Sequence, residues 1–229
     1  MGLITAIGDS AEVKIRAVNT GARIVARVQI QDGMPRYDGS AQIDGVPGSA
    51  APVELNFMNV AGSSTGAFLP SGNLIDSFEG VEVTCMDVAM PMVIARAADF
   101  GLTGAETREE LDANRDFFAK METVRLAAGA AMGMGDCSRS VTPKFGLLYP
   151  VEGAGHIGAR YFMPWETHPT MAVTGSQALA SCALTPGTIA DKMMTIPKER
   201  PAKITLHHLM GEMDVLVDYN GADGQFVHK

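Results

Sequence analysis

The heptapeptide Thr170–Ser176, TMAVTGS, opens a run of small and apolar residues that reads as a helix over Thr170–Leu184. A helix start leaves its first backbone N–H groups without intrahelical acceptors and carries the positive end of the helix dipole, so it suits a carboxylate. Thr174, Gly175 and Ser176 are small enough to let an anion reach that backbone. The same residues fit an ordinary capped start, with Thr170 or Thr174 as N-cap. His168 lies just before the helix. A lone histidine is more often structural than catalytic, but a place beside an anion site makes this one a candidate.

A second candidate loop is Ala61–Asn73, AGSSTGAFLPSGN, which sets the hydroxyls of Ser63, Ser64 and Thr65 between Gly62 and Gly66. It can hydrogen-bond a polar ligand through side chains and backbone, or be a surface turn. It is not a phosphate loop, because the Gly-Lys-Ser/Thr ending is absent. Cys85 has Asp87 two residues on but no base or cation adjacent, so a buried, inert thiol is expected. Cys182, late in the apolar helix, is expected in the core, and Cys137, near Arg139, in an exposed loop. Arg125, Lys144 and Arg160 are cations among apolar neighbours, where a charge needs a partner: a bound carboxylate or one of the protein's own. His207 and His208 point to opposite faces of a strand, a poor metal pair, and His156 and His228 stand without context. No His/Cys/Asp cluster has metal-ligand spacing, so no metal is expected.

These residues need a scaffold, and the chain has the material for one. It has 229 residues, 46% hydrophobic and 19% charged, which reads as globular. A net charge of −8 argues against nucleic acid or an anionic membrane surface as the main partner. Three cysteines without a pairing motif fit reduced thiols in a cytoplasm. No apolar run is long enough to span a membrane, and the first residues do not read as a signal peptide.

Alternation predicts a hairpin over Glu12–Gln31, with turns at Asn19-Thr20-Gly21 and Asp32-Gly33, and strands at Ala51–Phe57, Gly80–Cys85 and Pro91–Ala97. Thr107–Arg115 and Phe117–Met132 read as helices, the first with Thr107 as N-cap and Glu110 completing a capping box. Leu126, Ala130 and Met134 fall at helical spacing. Strands follow at Thr142–Tyr149 and Gly155–Phe162, and a closing hairpin at Ala202–Leu209 and Met213–Tyr219. The order makes an α+β fold, with the small-residue helix running through a curled sheet that larger side chains would hold off.

Ile43–Gly48 (IDGVPG), Ala61–Asn73, Gly80–Val93, Leu102–Gly104, Met121–Arg125, Pro143-Lys144 and His168–Ser176 form a co-linear set. Together they resemble the PrpF-like family of methylaconitate isomerases and 4-oxalomesaconate tautomerases, which has the diaminopimelate epimerase-like fold. The resemblance covers roughly Val13 through Ala190. The Ala89-Met90-Pro91 version resembles the oxalomesaconate branch, and 2-methylaconitate is the alternative substrate. It implies a cofactor-independent proton shift on a small unsaturated tricarboxylate, in gallate and protocatechuate breakdown. It implies substrate contacts at Ser63, Ser64, Thr65, Met90, His168, Thr174, Gly175 and Ser176. The acid/base residues of this branch are a Cys and a Lys of a first lobe, and Val173 stands where epimerases have another Cys. Residues 1–11 are expected to be a first-lobe remnant, with Gly2-Leu3-Ile4 ending its helix, and 12–229 a second lobe lacking its closing strands. A homodimer or a separate first-lobe chain is the expected partner; a non-catalytic acid-binding module is the reading from another class.

Overall fold

The computed structural model describes residues 8–18, 21–222 and 225–228. Gly2–Ile4, and Asn19 and Thr20 of the expected turn, lie outside the described residues. The chain divides by its contacts into two compact units, Met1–Asn59 and Val60–Lys229.

In the first unit, β1 (Ser10–Arg16) pairs antiparallel with β2 (Arg23–Gln31), as the alternation predicts. Asp32 and Gly33 both take positive φ, the geometry of the tight turn that Asp-Gly favours, and return the chain as β3 (Met34–Pro35). β4 (Val53–Met58) pairs with β2.

The second unit is built on a seven-stranded sheet. Its strands are β5 (Asp76–Phe78), β6 (Val81–Asp87), β7 (Pro91–Arg96), β8 (Lys144–Pro150), β9 (His156–Phe162), β10 (Ala202–His208) and β11 (Gly211–Val217), lying side by side in chain order. Neighbours are antiparallel except β7–β8 and β9–β10. Each parallel pair needs a crossover. The first crossover holds a 3-10 turn (Ala97–Phe100), α1 (Arg108–Ala113) and α2 (Arg115–Ala131); the second holds α3 (Val173–Leu184). A further hairpin, β12 (Tyr219–Ala222) with β13 (Gln225–His228), follows.

Local signals set the helix ends. The Thr107 N–H donates to Glu110 at 2.8 Å and the Glu110 N–H to the Thr107 hydroxyl at 3.2 Å, the reciprocal box expected at α1. Asn114 caps α2 by accepting the Phe117 N–H at 3.0 Å. The buried stripe of α2 is not the expected one: Phe117, Met121, Val124, Arg125 and Ala128 are buried, whereas Leu126 is half-buried and Ala130 exposed. A charged residue on the buried face masks the stripe in the sequence.

The two long helices pack on opposite faces of the sheet. Phe117, Met121, Val124 and Ala128 of α2 join Val83, Val93, Phe145 and Phe162 on one face. On the other, α3 packs against all six strands from β6 to β11. Six strands of a flat sheet span about 24 Å and a helix of this length measures about 18 Å, so contact with all six fits a sheet that curls around α3. Close approach needs small residues. A Cβ on Gly146 would stand 2.7 Å from Leu179 of α3, and one on Gly175 would stand 2.4 Å from the Tyr161 ring. No helix among the described residues is long and apolar enough to cross a membrane.

Candidate functional site

The start of α3 meets the sheet where β7 and β8 begin and β9 ends. Tyr161, next to last on β9, faces α3 and lies under Gly175. Its hydroxyl donates to Met90 Sδ at 3.2 Å, and the Thr174 hydroxyl donates to the same sulfur at 3.7 Å. Burial pushes the Tyr161 phenol up to about 12, so it stays a neutral donor. Met90, Tyr161, Thr174 and Gly175 are thereby joined.

His168 is tied to the same point. Its N–H donates to the Tyr161 carbonyl at 2.8 Å, and its ring stands edge-on to Tyr161 at 5.6 Å between centroids. Nδ1 accepts the Thr170 N–H at 3.1 Å, so the neutral ring carries its proton on Nε2. Burial holds its pKa below the ordinary value, and the charges of Arg108 and Lys144 act in the same direction.

No side chain caps α3. The N-cap is Ala172, in extended conformation with φ −76 and ψ 137, and it makes no side-chain cap bond. The capped alternative, with Thr170 or Thr174 in that role, is therefore not what forms. Ser176 is buried inside the helix, its hydroxyl donating to the Val173 carbonyl at 2.8 Å, while Thr174 stays half-buried at the mouth. Val173 is 44% exposed there.

The three cations separate cleanly. Arg125 is fully buried and all five of its N–H donors are used: two on Glu122, at 2.7 and 2.8 Å, and one each on the carbonyls of Cys137, Ser140 and Pro143. It clasps the loop that leads into Lys144. Arg160 donates to the carbonyls of Ala159, His207 and Gly104 and lies over the Tyr149 ring. Lys144 differs. Phe145 packs on the α2 face, so alternation turns Lys144 toward α3. Among the described residues it has no carboxylate partner. Burial, with the Arg125 charge, lowers its pKa.

The Ser63–Thr65 loop spends its donors within the protein. The N–H groups of Ser64 and Thr65 donate to Asp87 Oδ2 at 2.8 and 2.7 Å, and the Thr65 hydroxyl does so at 2.9 Å. Asp87 is wholly buried, and its Oδ1 and Ser63 Oγ have no hydrogen-bond partner among the described residues. The loop is an anion nest with the chain's own carboxylate in it. Asp87 is thus a residue whose role in holding the loop the sequence does not show.

Cys85 and Cys182 are buried as expected, and burial raises both thiols, Cys182 to about 12. Cys137, expected in an exposed loop, is also buried: it packs under Gly129, where a Cβ would stand 2.9 Å from its sulfur. His156, which the sequence leaves without context, lies 2.8 Å from His207 on the sheet face away from α3.

A family model described as PrpF protein matches residues 1–229. The Escherichia coli K12 protein YbhH is 46% identical over 222 residues, covering 97% of this chain and 63% of YbhH. The (4E)-oxalomesaconate Delta-isomerase of Novosphingobium sp. KA1 is 41% identical over 221 residues, covering 96% of this chain and 62% of that protein. Among solved structures, methylitaconate-delta-isomerase superposes with a TM-score of 0.85 at 27% identity, covering 98% of this chain and 63% of that one. The α+β lobe with a sheet curled about a central helix therefore shares the fold of that solved structure. The chain spans about 63% of the length of YbhH and of the methylitaconate-delta-isomerase chain.

Proposed function

This chain belongs to the PrpF protein family, and from that premise we propose that it holds the carboxylates of a small unsaturated tricarboxylate, 4-oxalomesaconate, in an isomerase site. The observation that carries the reading is the uncapped start of α3, with His168 beside it and Lys144 turned toward it without a carboxylate of its own. The name of the 41% identical Novosphingobium protein supports the choice of acid. The methylitaconate isomerase structure supports a related second reading, another branched unsaturated acid.

The reaction removes a proton from carbon next to a carbonyl, leaves an enolate, and returns a proton at another position of the conjugated system. It needs a base, an acid and donors for the charge that builds between them. The first N–H groups of α3, the Lys144 ammonium and the His168 Nε2–H are the donors of this lobe. His168 serves as a donor rather than a base, because its Nδ1 lone pair already receives the Thr170 N–H. Thr174 lines the mouth, and Met90 fixes Tyr161 and Thr174 against each other. Of the Ser63–Thr65 loop, the Ser64 side chain is exposed and remains the group that can reach substrate. For the acid and base the family resemblance implies a Cys and a Lys. On this reading the protein works in the cytoplasm in the breakdown of gallate or protocatechuate.

Calorimetry with 4-oxalomesaconate tests the proposal, alongside an ultraviolet assay of its keto–enol conversion. The folded chain is expected to bind the acid, and Lys144→Ala and His168→Ala each to weaken binding by about tenfold, the loss of one charge-assisted hydrogen bond. No binding by folded chain, or binding indifferent to both substitutions, would overturn it.

A further inference from the structure

The face of the sheet away from α3 holds a side-chain cluster that the isomerase reading leaves unused. β9 and β10 run parallel with His156 beside Thr205, and β10 and β11 antiparallel with His207 opposite Glu212. His207 lies two residues beyond Thr205, so alternation brings His156, His207 and Glu212 to one face. His156 Nδ1 is 2.8 Å from His207 Nε2, and Glu212 Oε1 is 3.4 Å from His207 Nδ1. One ligand atom from each residue lies within 4.8 Å of the others. His156 and Glu212 also line an open cleft of about 520 Å³, shared with Thr195, Lys203 and Asp214.

We propose that His156, His207 and Glu212 bind a first-row divalent transition cation of the Zn²⁺ class on this outer face. Two imidazoles and a carboxylate are the donor set that zinc takes with an open fourth position, here directed to the cleft. The nitrogen content favours Zn²⁺, Cu²⁺, Ni²⁺ or Co²⁺ over Mg²⁺ or Ca²⁺. Metal–nitrogen bonds of about 2.0–2.1 Å in a tetrahedral site set the two nitrogens about 3.3 Å apart. The imidazoles need separate by only about half an ångström from their present contact. Glu212 is half exposed, with room to turn its carboxylate inward. The ligands sit on three paired strands, which holds them in register. Because His156 and His207 are 51 residues apart in the chain, no metal-ligand spacing is written in the sequence.

Calorimetric titration of the whole chain with ZnCl₂ tests the proposal, with thermal unfolding in Zn²⁺ and in EDTA as a second readout. One equivalent is expected to bind and to raise the unfolding midpoint reversibly. His156→Gln, His207→Gln and Glu212→Gln should each weaken affinity at least about tenfold, while His168→Gln, on the other face, leaves it unchanged. Cu²⁺-loaded protein should show two nitrogen ligands by electron paramagnetic resonance, reduced to one in either histidine variant. Folded protein that binds no Zn²⁺ would overturn the assignment. So would stoichiometric binding that survives both histidine substitutions, or that is lost with His168.

Discussion

Replacing Asp87 tests whether the Ser63–Thr65 loop is built for the protein or for a ligand. Two backbone N–H groups and one hydroxyl converge on Oδ2 at 2.8, 2.7 and 2.9 Å, and the residue is wholly buried. A hydrogen bond to a charged group contributes about 1.5–3 kcal/mol. Three bonds on one oxygen are not additive. Asp87→Ala also leaves two part-buried amides without their acceptor, so a loss of about 3–5 kcal/mol is expected, comparable to breaking a buried ion pair. Asp87→Asn keeps an accepting oxygen but loses the charge, and should cost about 2 kcal/mol. Urea unfolding followed by the fluorescence of Trp165, the chain's single tryptophan, reports on the unit that holds the loop. With a slope of about 2 kcal/mol per molar urea, the midpoints should fall by roughly 1 M for Asn and roughly 2 M for Ala. An Asp87→Asn midpoint equal to that of the unsubstituted chain, together with weaker tricarboxylate binding, would refute the argument. It would mean that the loop's donors serve the ligand.

Gly175→Ala should destabilise the chain by about 1–3 kcal/mol through overpacking, since the new Cβ would stand 2.4 Å from the Tyr161 ring, and it should weaken acid binding by shifting the start of α3; unfolding and calorimetry check both. Arg125→Met should cost about 3–5 kcal/mol by leaving Glu122 and three carbonyls without their donor, and Arg125→Lys should not restore it, because an ammonium cannot fork across Glu122 and the loop carbonyls together. His168 predicts a pH dependence. Its folded pKa lies below 6.5, so between the two values the unfolded chain binds more protons. Its contribution therefore rises with pH through that window and is lost on acidification. Urea midpoints should fall less steeply from pH 7 to pH 5 in His168→Gln than in the unsubstituted chain, and equal slopes would count against it.

Elements with local signals are legible in the sequence. β2 is the predicted Arg23–Gln31, because alternation and an Asp-Gly turn are properties of neighbouring residues. The box at α1 needs only Thr107 and Glu110, three residues apart. The α3 helix is legible in the same way, though its cap is not: the sequence offers Thr170 and Thr174, and the fold uses Ala172. Thr170 is drawn away because its N–H is engaged by His168. What the sequence hides is what long-range packing creates. Arg125 reads as a lone cation in an apolar helix until the loop carbonyls of Cys137, Ser140 and Pro143 close over it.

The Ser63–Thr65 loop shows the limit most sharply. Its glycines and hydroxyls would look the same whether its N–H groups faced a substrate or Asp87, which lies 22 residues beyond Thr65. Residue type establishes that the loop can hold a carboxylate, and only the pairing of distant segments decides whose carboxylate it is. Lys144 is the converse case. Sequence gave it the same standing as Arg125 and Arg160, yet of the three it alone has no partner among the described residues. A half-buried ammonium left in that state loses hydration without compensation. In the proposed function the compensation is an anion that arrives from outside, at the helix start toward which it turns.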